Sequence, residues 1–304
     1  MIEVIDAGLC DLVMDLGRPG LGAQGVPVGG AADPAALAAA NRLVGNAPDA
    51  AAVEIVLSGP RLAFPTGGVI ALTGARFAAT RSSGRPVAWN ETLVLAAGET
   101  LTLGRAVEGC RTWLAVRGGV AVLPVLGSRS TFLPAGFGGL DGRALQAGDV
   151  LPLGEATGEV RLQRARPPAH DAEAPLRVVA GPQAASFEDA GLVAFFGASY
   201  RVAPTSDRRG VRLAGPRVAH AGDEWPSQGV RPGAVQVPPD GQPIVLGWDG
   251  PVTGGYPVIA TVIEADWPRL AQLRPGDAVR FVTVDLDAAR AFAATDAWTL
   301  EELG

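Results

Sequence analysis

Short apolar runs punctuated by glycine and proline make up most of this 304-residue chain. Between residues 235 and 263 three such runs, 235–237, 244–247 and 258–263, are separated by PPDGQP and WDGPVTGGYP. Proline fixes φ and glycine supplies positive φ, so both separators predict turns between strands. A second device recurs three times: Leu-x-x-Gly-acid followed by apolar alternation, in LAAGETLTL from Leu95, LQAGDVLPL from Leu145 and LRPGDAVRF from Leu273. Each predicts a turn feeding a strand, with the acid facing solvent. The third copy lies far from the first two, which predicts two similar β halves of barrel or sandwich type. Residues 71–153 read as β, and further strands are predicted at 53–57 and in RVVAGP from Arg177.

Helical signals are confined to short stretches. Residues 33–44 have Asp33 as N-cap, Pro34 at the first helical position, Gly45 as the stop, and an apolar stripe of Leu37, Ala40, Leu43 and Val44. Shorter helices are predicted at 186–196, capped by Ser186, and at 267–273, capped by Asp266. The tail reads as helix over 287–302, interrupted near Thr295 and Asp296. The polar, proline-rich QRARPPAHDAEAP (163–175) lacks periodicity and marks a boundary. The expected division is 1–165, 176–286 and a helical tail 287–304.

Composition narrows the chemistry. Apolar residues make up 48%, with 41 Gly and 25 Pro; charged residues are only 18%, which argues against a disordered chain. The net charge is −6 with no basic tract, which argues against nucleic-acid or anionic-membrane partners. No lysine is present; all 25 basic residues are arginine. That removes P-loop, Schiff-base and Ser-Lys chemistry from this chain. Cys10 and Cys110 form no CxxC, and His170 and His220 are the only histidines, so no metal site is expected. The N-terminus lacks a basic leader and no apolar run reaches the roughly 20 residues of a membrane span, so a cytoplasmic protein is expected.

The second glycine-rich separator concentrates functional groups: Asp249, Thr253, the adjacent amides of Gly254 and Gly255, and Tyr256. Two adjacent N–H groups can cradle an oxyanion, Tyr256 can donate to a carbonyl, and Asp249 suits a base or an orienting acceptor. An ordinary hairpin with a partly buried tyrosine fits the same residues. Gln236, on the preceding strand, carries the donor and acceptor that a lactam or urea group needs, unless it faces solvent. Arg18, Arg129 and the Arg208–Arg209 pair sit in turns and suit carboxylate or phosphate, or a brace against Asp15 or Asp207. Asn41 and Glu54 lie in apolar stretches, where pairing within the core is the usual reason.

Several long segments in register resemble one family. DLGRPGLGAQGVPVGGAADPAALAAANRLVGN, LGSRSTFLPAGFGGLDGRALQAGD, SDRRGVRLAGP, GVRPGAVQVPPDGQPIVL and the TGGYP loop are together similar to the biotin-dependent carboxyltransferase family, in its 5-oxoprolinase, allophanate hydrolase subunit 2 and Kip antikinase-type branch. The resemblance implies a mostly β fold of two tandem cyclophilin-like β-barrel domains with a few short helices, and a functional cleft near their meeting point. It implies Asp249 and Tyr256 as catalytic, with Arg18, Gln24, Arg129, Arg209, Gln236, Thr253, Gly254 and Gly255 binding substrate. It further implies ATP-dependent hydrolysis of 5-oxo-L-proline with sister subunits B and A, the ATP and its magnesium belonging to the complex. Carboxyl transfer to a urea-type amide, with biotin delivered by another protein, and a non-catalytic antikinase-type partnership are the alternatives. The chain departs from the family's Asp-x-Gln-Thr-Thr-Gly-Gly-Tyr-Pro-Lys/Arg loop at Pro251, Val252 and Val258, and from an expected Gln-Asp pair at Met14.

Overall fold

A computed structural model describes residues 1–169, 173–220, 225–295 and 298–303. The chain is mostly β and divides into two units. One comprises Met1–Arg18, Gly29–Pro168 and Ala297–Gly304; the other comprises Pro19–Val28 and Ala169–Asp296. Among the described residues no helix is long and apolar enough to cross a membrane.

The first unit is built on two long strands, Gly68–Arg81 and Glu99–Val116, paired antiparallel with bulges near Gly74 and Phe77. Glu99–Val116 also pairs with Ala52–Val56 and Arg61–Phe64, and the sheet extends through Asp11–Met14, Ile2–Asp6 and Val150–Leu151. Alternate residues of these strands supply the core, including Ile2, Ile55, Leu62, Phe64, Leu72 and Leu114. The helix Pro34–Leu43 forms as its sequence predicts: Asp33 accepts from the Ala36 N–H at 3.0 Å and Pro34 opens it. Asn41 and Glu54 are fully buried and paired, Asn41 to Ala50 O at 2.7 Å and Glu54 to the Ala32 N–H at 3.0 Å.

The second unit is a sheet in the order Ala278–Val279, Tyr200–Val202, Gly210–Ala214, Ile244–Leu246, Ala234–Gln236, Val258–Val262, Leu176–Ala180, Phe281–Thr283. The two edge strands are consecutive in sequence, separated by Arg280 alone. The chain therefore steps from one edge directly to the other, which curls the sheet into a near-closed barrel. Its interior holds Val178, Phe195, Tyr200, Val235, Val245, Ile259 and Phe281.

The three Leu-x-x-Gly-acid turns share one geometry, and it differs from the expectation that the acid faces solvent. Gly98, Gly148 and Gly276 hold φ of +77°, +91° and +93°. The acid that follows folds back: the carboxylates of Glu99, Asp149 and Asp277 accept from the backbone N–H of Ala96, Gln146 and Arg274 at 2.9, 2.7 and 2.7 Å. Each acid's own N–H returns to the carbonyl of the same residue. The result is a reciprocal cap of a β-turn, a side chain satisfying its own turn. Glu99 is also clamped by Arg81 at 2.7 and 2.9 Å, and that hydrogen bonding pulls its pKa down to about 2.

Three helix details also differ. Residues 189–197 form the helix expected at 186–196; Ser186 lies in a preceding turn and Glu188 is the N-cap, without a side-chain bond. Asp266 begins Trp267–Gln272 but caps nothing with its side chain. Its fully buried carboxylate instead receives the Arg177 N–H at 2.5 Å and the Arg177 guanidinium at 2.5 and 3.0 Å. In the tail, Leu286–Thr295 is helix, while Thr299–Glu302 is a strand paired with Gln163–Arg166 rather than more helix. Asp296, part of the expected interruption, lies outside the described residues.

Burial raises two carboxyls of the first unit. Asp11, 1% exposed, and the cap Asp33 are each pushed up to about 6 by desolvation. A folded-state pKa above the ordinary 3.8 means that the folded protein prefers the protonated form, so stability falls as pH rises from about 4 to about 6. Asp11→Asn should raise unfolding stability at pH 7 by up to about 3 kcal/mol and change little near pH 3.5. Urea denaturation at the two pH values measures the difference.

Candidate functional site

The candidate residues of the second barrel form two groups, the Arg208–Asp249 turns beyond the Leu246 end of Ile244–Leu246 and the glycine-rich loop at the Gln236–Val258 end. Gly210 pairs with Leu246, and just outside that ladder two turns lie on each other. The Gly247 N–H donates to Arg209 O at 3.0 Å and the Asp249 N–H to Arg208 O at 3.1 Å. A Cβ on Gly247 would stand 2.2 Å from Arg208 O, so only glycine permits this approach. Asp249 is 3% exposed, and its carboxylate accepts Arg208 Nε at 2.7 Å and Nη2 at 3.2 Å. This two-point guanidinium clamp ties the Asp249 turn to the Arg208 turn. Asp207 accepts the N–H groups of Arg209 and Gly210 at 2.8 and 3.2 Å, fixing the turn. That leaves the Arg209 side chain exposed, with no hydrogen bond or ion pair among the described residues.

The glycine-rich loop follows. Thr253–Gly254 pairs with Gln228–Gly229, and the Val230 N–H donates to Val252 O at 2.9 Å. Gly254's backbone is thus committed to a ladder, and of the two adjacent amides Gly255's lies beyond it. Positive φ is not the reason for these glycines. Gly241, in PPDGQP, takes φ +75°, but Gly247, Gly250, Gly254 and Gly255 do not enter the left-handed region. Close approach explains Gly254: a Cβ there would fall 2.3 Å from Gln236 Nε2. Gln236 is 4% exposed and faces this loop rather than solvent, donating from Nε2 to Tyr256 O at 3.3 Å. Thr253 and Tyr256 are exposed, the tyrosine by 43%, so its ring is not part of the interior.

Sequence reasoning missed two residues here, Gln183 and Gln228. Gln183 Oε1 accepts the Val258 N–H at 3.0 Å, and its Nε2 donates to Gln228 Oε1 at 2.8 Å. These bonds tie the Gly181–Pro182 turn to both sides of the loop. The signal was a polar residue directly after Gly-Pro at a strand end, as in AGPQ. Val258, where the family pattern carries a cation, is 4% exposed and packs with Ala234 and Leu246.

Arg18 and Arg129 belong to the first unit. Arg18 is 2% exposed; its Nη2 donates to Ser130 O at 2.5 Å and its guanidinium lies 4.9 Å from the Phe137 ring centre. Arg18 therefore shapes the loop that carries Arg129 rather than opening to solvent. The same loop is pinned by Asp15, whose carboxylate accepts Ser128 Oγ at 2.5 Å, Ser130 Oγ at 2.6 Å and the Arg129 N–H at 2.5 Å. Arg129 is exposed, with Nε on Val122 O at 2.8 Å. Gln24 is exposed in the turn Gly22–Gln24, a segment grouped with the second unit. Among the described residues no group of three or more His, Cys, Asp or Glu is placed to hold a metal; His170 lies outside them.

Comparison with known proteins adds a family and relatives. Residues 24–283 match the model for the carboxyltransferase domain, subdomain A and B. The chain is 42% identical over 297 residues to the C-type subunit of 5-oxoprolinase from Escherichia coli, covering 95% of this chain and 93% of that one. It is 34% identical to the urea amidolyase of Lachancea kluyveri over 95% of its own length but only 17% of that protein. Among solved structures, the K. lactis urea amidolyase superposes with a TM-score of 0.87 at 32% identity, covering 95% of this chain and 19% of that one.

Proposed function

The chain belongs to the carboxyltransferase domain family, subdomains A and B, and from that premise we propose that it is part of an ATP-dependent 5-oxoprolinase, hydrolysing 5-oxo-L-proline to L-glutamate together with sister subunits. One observation carries the substrate class: the side chains bonded around the 253–256 loop are the neutral amides of Gln183, Gln228 and Gln236. Such a surface suits the neutral amide group of a lactam. In this reading Tyr256 and the Gly255 N–H polarise the lactam carbonyl, Thr253 and Gln236 orient the ring, and exposed Arg209 holds the ligand carboxylate. Water adds across the C–N bond, oxygen to the carbonyl carbon and a proton to the departing ring nitrogen. At the level of the complex, ATP with its magnesium would supply a phosphoryl group to the carbonyl oxygen, releasing ADP, and phosphate would leave as water takes its place at that carbon.

A second reading has its own support in the urea amidolyase relatives: carboxyl transfer to a urea-type amide. Since the chain has no lysine, biotin would arrive on another protein. Reconstitution with the sister subunits of a 5-oxoprolinase decides between them. We expect ATP-dependent glutamate release that is indifferent to a biotinylated carrier, and a loss of at least tenfold in Tyr256→Phe and in Arg209→Ala. Unchanged rates in both variants would remove these residues from the site; a requirement for the carrier would favour the second reading.

A further inference from the structure

The side-chain amides around the glycine-rich loop have a fixed polarity. A backbone N–H can only donate, so the Val258 N–H meets Gln183 at Oε1. Gln183 Nε2 therefore faces Gln228 as a donor and requires Oε1 there. What remains of Gln228 is its own NH₂ group. On the other side, a backbone carbonyl can only accept, so Tyr256 O takes Gln236 Nε2 and leaves Gln236 Oε1. Neither remaining group has a hydrogen-bond partner among the described residues, and neither is among the atoms sealed from solvent. Both glutamines bracket Gly254: Gln228 is its ladder partner, and Gln236 Nε2 lies 2.3 Å from where its Cβ would stand.

We infer that Gln228 and Gln236 form a matched donor and acceptor that read a neutral cis amide, and that Gln183 is the positioning residue that sets their polarity. A cis amide, in a lactam or a urea, presents C=O and N–H on one edge. Gln228 Nε2 donates to the carbonyl and Gln236 Oε1 accepts from the N–H. This assignment rests on the lactam reading above and gives it a specificity mechanism: a ligand lacking either group leaves a polar atom unanswered, and such sites discriminate strongly.

The test uses the full chain and calorimetric binding of two probes, 5-oxo-L-proline and its ring-oxygen lactone analogue, which keeps the carbonyl and lacks the N–H. Wild type should prefer the lactam at least tenfold. Gln236→Leu should erase that preference. Gln228→Glu should weaken both probes at least tenfold, since its outward group becomes an acceptor. Gln183→Glu touches neither probe yet should copy Gln228→Glu. A carboxylate at 183 can only accept from Gln228, whose amide then turns its oxygen outward. Lowering the pH until that carboxyl protonates, near about 4, restores a donor and should restore affinity, a response that a purely structural defect would not give. Thermal unfolding checks that each variant is folded; should Gln183→Glu not fold, Gln228→Glu decides. Undiminished binding of both probes by Gln228→Glu overturns the pairing while leaving the lactam reading intact. Failure of wild type to bind the lactam overturns the lactam reading, and this inference with it.

Discussion

Asp249→Ala should destabilise the second unit by about 3–5 kcal/mol, the cost of leaving one partner of a buried ion pair uncompensated. Both side chains are almost sealed, Arg208 at 8% and Asp249 at 1% exposure, and the pair is closed by two hydrogen bonds. The pair also pins two stacked turns together, so the loss propagates to the Gly247–Gly250 backbone. Asp249→Asn should lose about half as much, because an amide oxygen still accepts one guanidinium bond but carries no charge. Replacing both partners together, as Arg208→Met with Asp249→Leu, should recover most of the stability. Guanidinium denaturation of the four proteins measures this cycle. An Asp249→Asn variant with wild-type stability and no turnover would assign Asp249 a catalytic role.

Arginine shows why the fold was more legible than the site. Strands and turns are written locally: the 33–45 helix carries its own cap, first-turn proline and stop, and the Gly-acid turns recur as a unit. Which arginine opens to solvent is not local. Arg18 and Arg209 both sit in glycine-flanked turns, yet one is sealed against Ser130 and Phe137 and the other is exposed. Burial of Arg18 is decided by a segment about a hundred residues away, which no turn pattern encodes. The same holds for Gln183, whose two bonds reach residues 75 and 45 positions distant. It holds again for Thr299–Glu302, whose weak alternation becomes a strand only because Gln163–Arg166 offers an edge. The acids of the three turns misled for the opposite reason. Their partner is the turn itself, a contact too short in sequence to register as periodicity.

Gly254→Ala is expected to abolish ligand binding, while Gly255→Ala is nearly silent, although the two glycines are neighbours in one motif. A methyl at 254 would stand 2.3 Å from Gln236 Nε2 and 3.1 Å from its Cδ, inside any tolerable contact. Gln236 is itself buried at 4% exposure on a central strand, so it has little room to retreat. Either the amide leaves Tyr256 O or the loop lifts from its ladder with Gln228. Overpacking of this kind costs about 1–3 kcal/mol of stability. The loss in binding is larger, roughly a hundredfold or more, because the amide acceptor and the tyrosine are displaced together. At 255 the nearest atoms to a new methyl are Trp225 O at 3.5 Å and Ser227 Oγ at 3.7 Å, ordinary contact distances. Gly255→Ala should therefore keep stability within about 0.5 kcal/mol and retain its N–H for the ligand. Thermal unfolding with and without 5-oxo-L-proline reads both effects. Comparable damage from the two substitutions would mean that backbone freedom, and not the approach of Gln236, is what the glycine pair supplies.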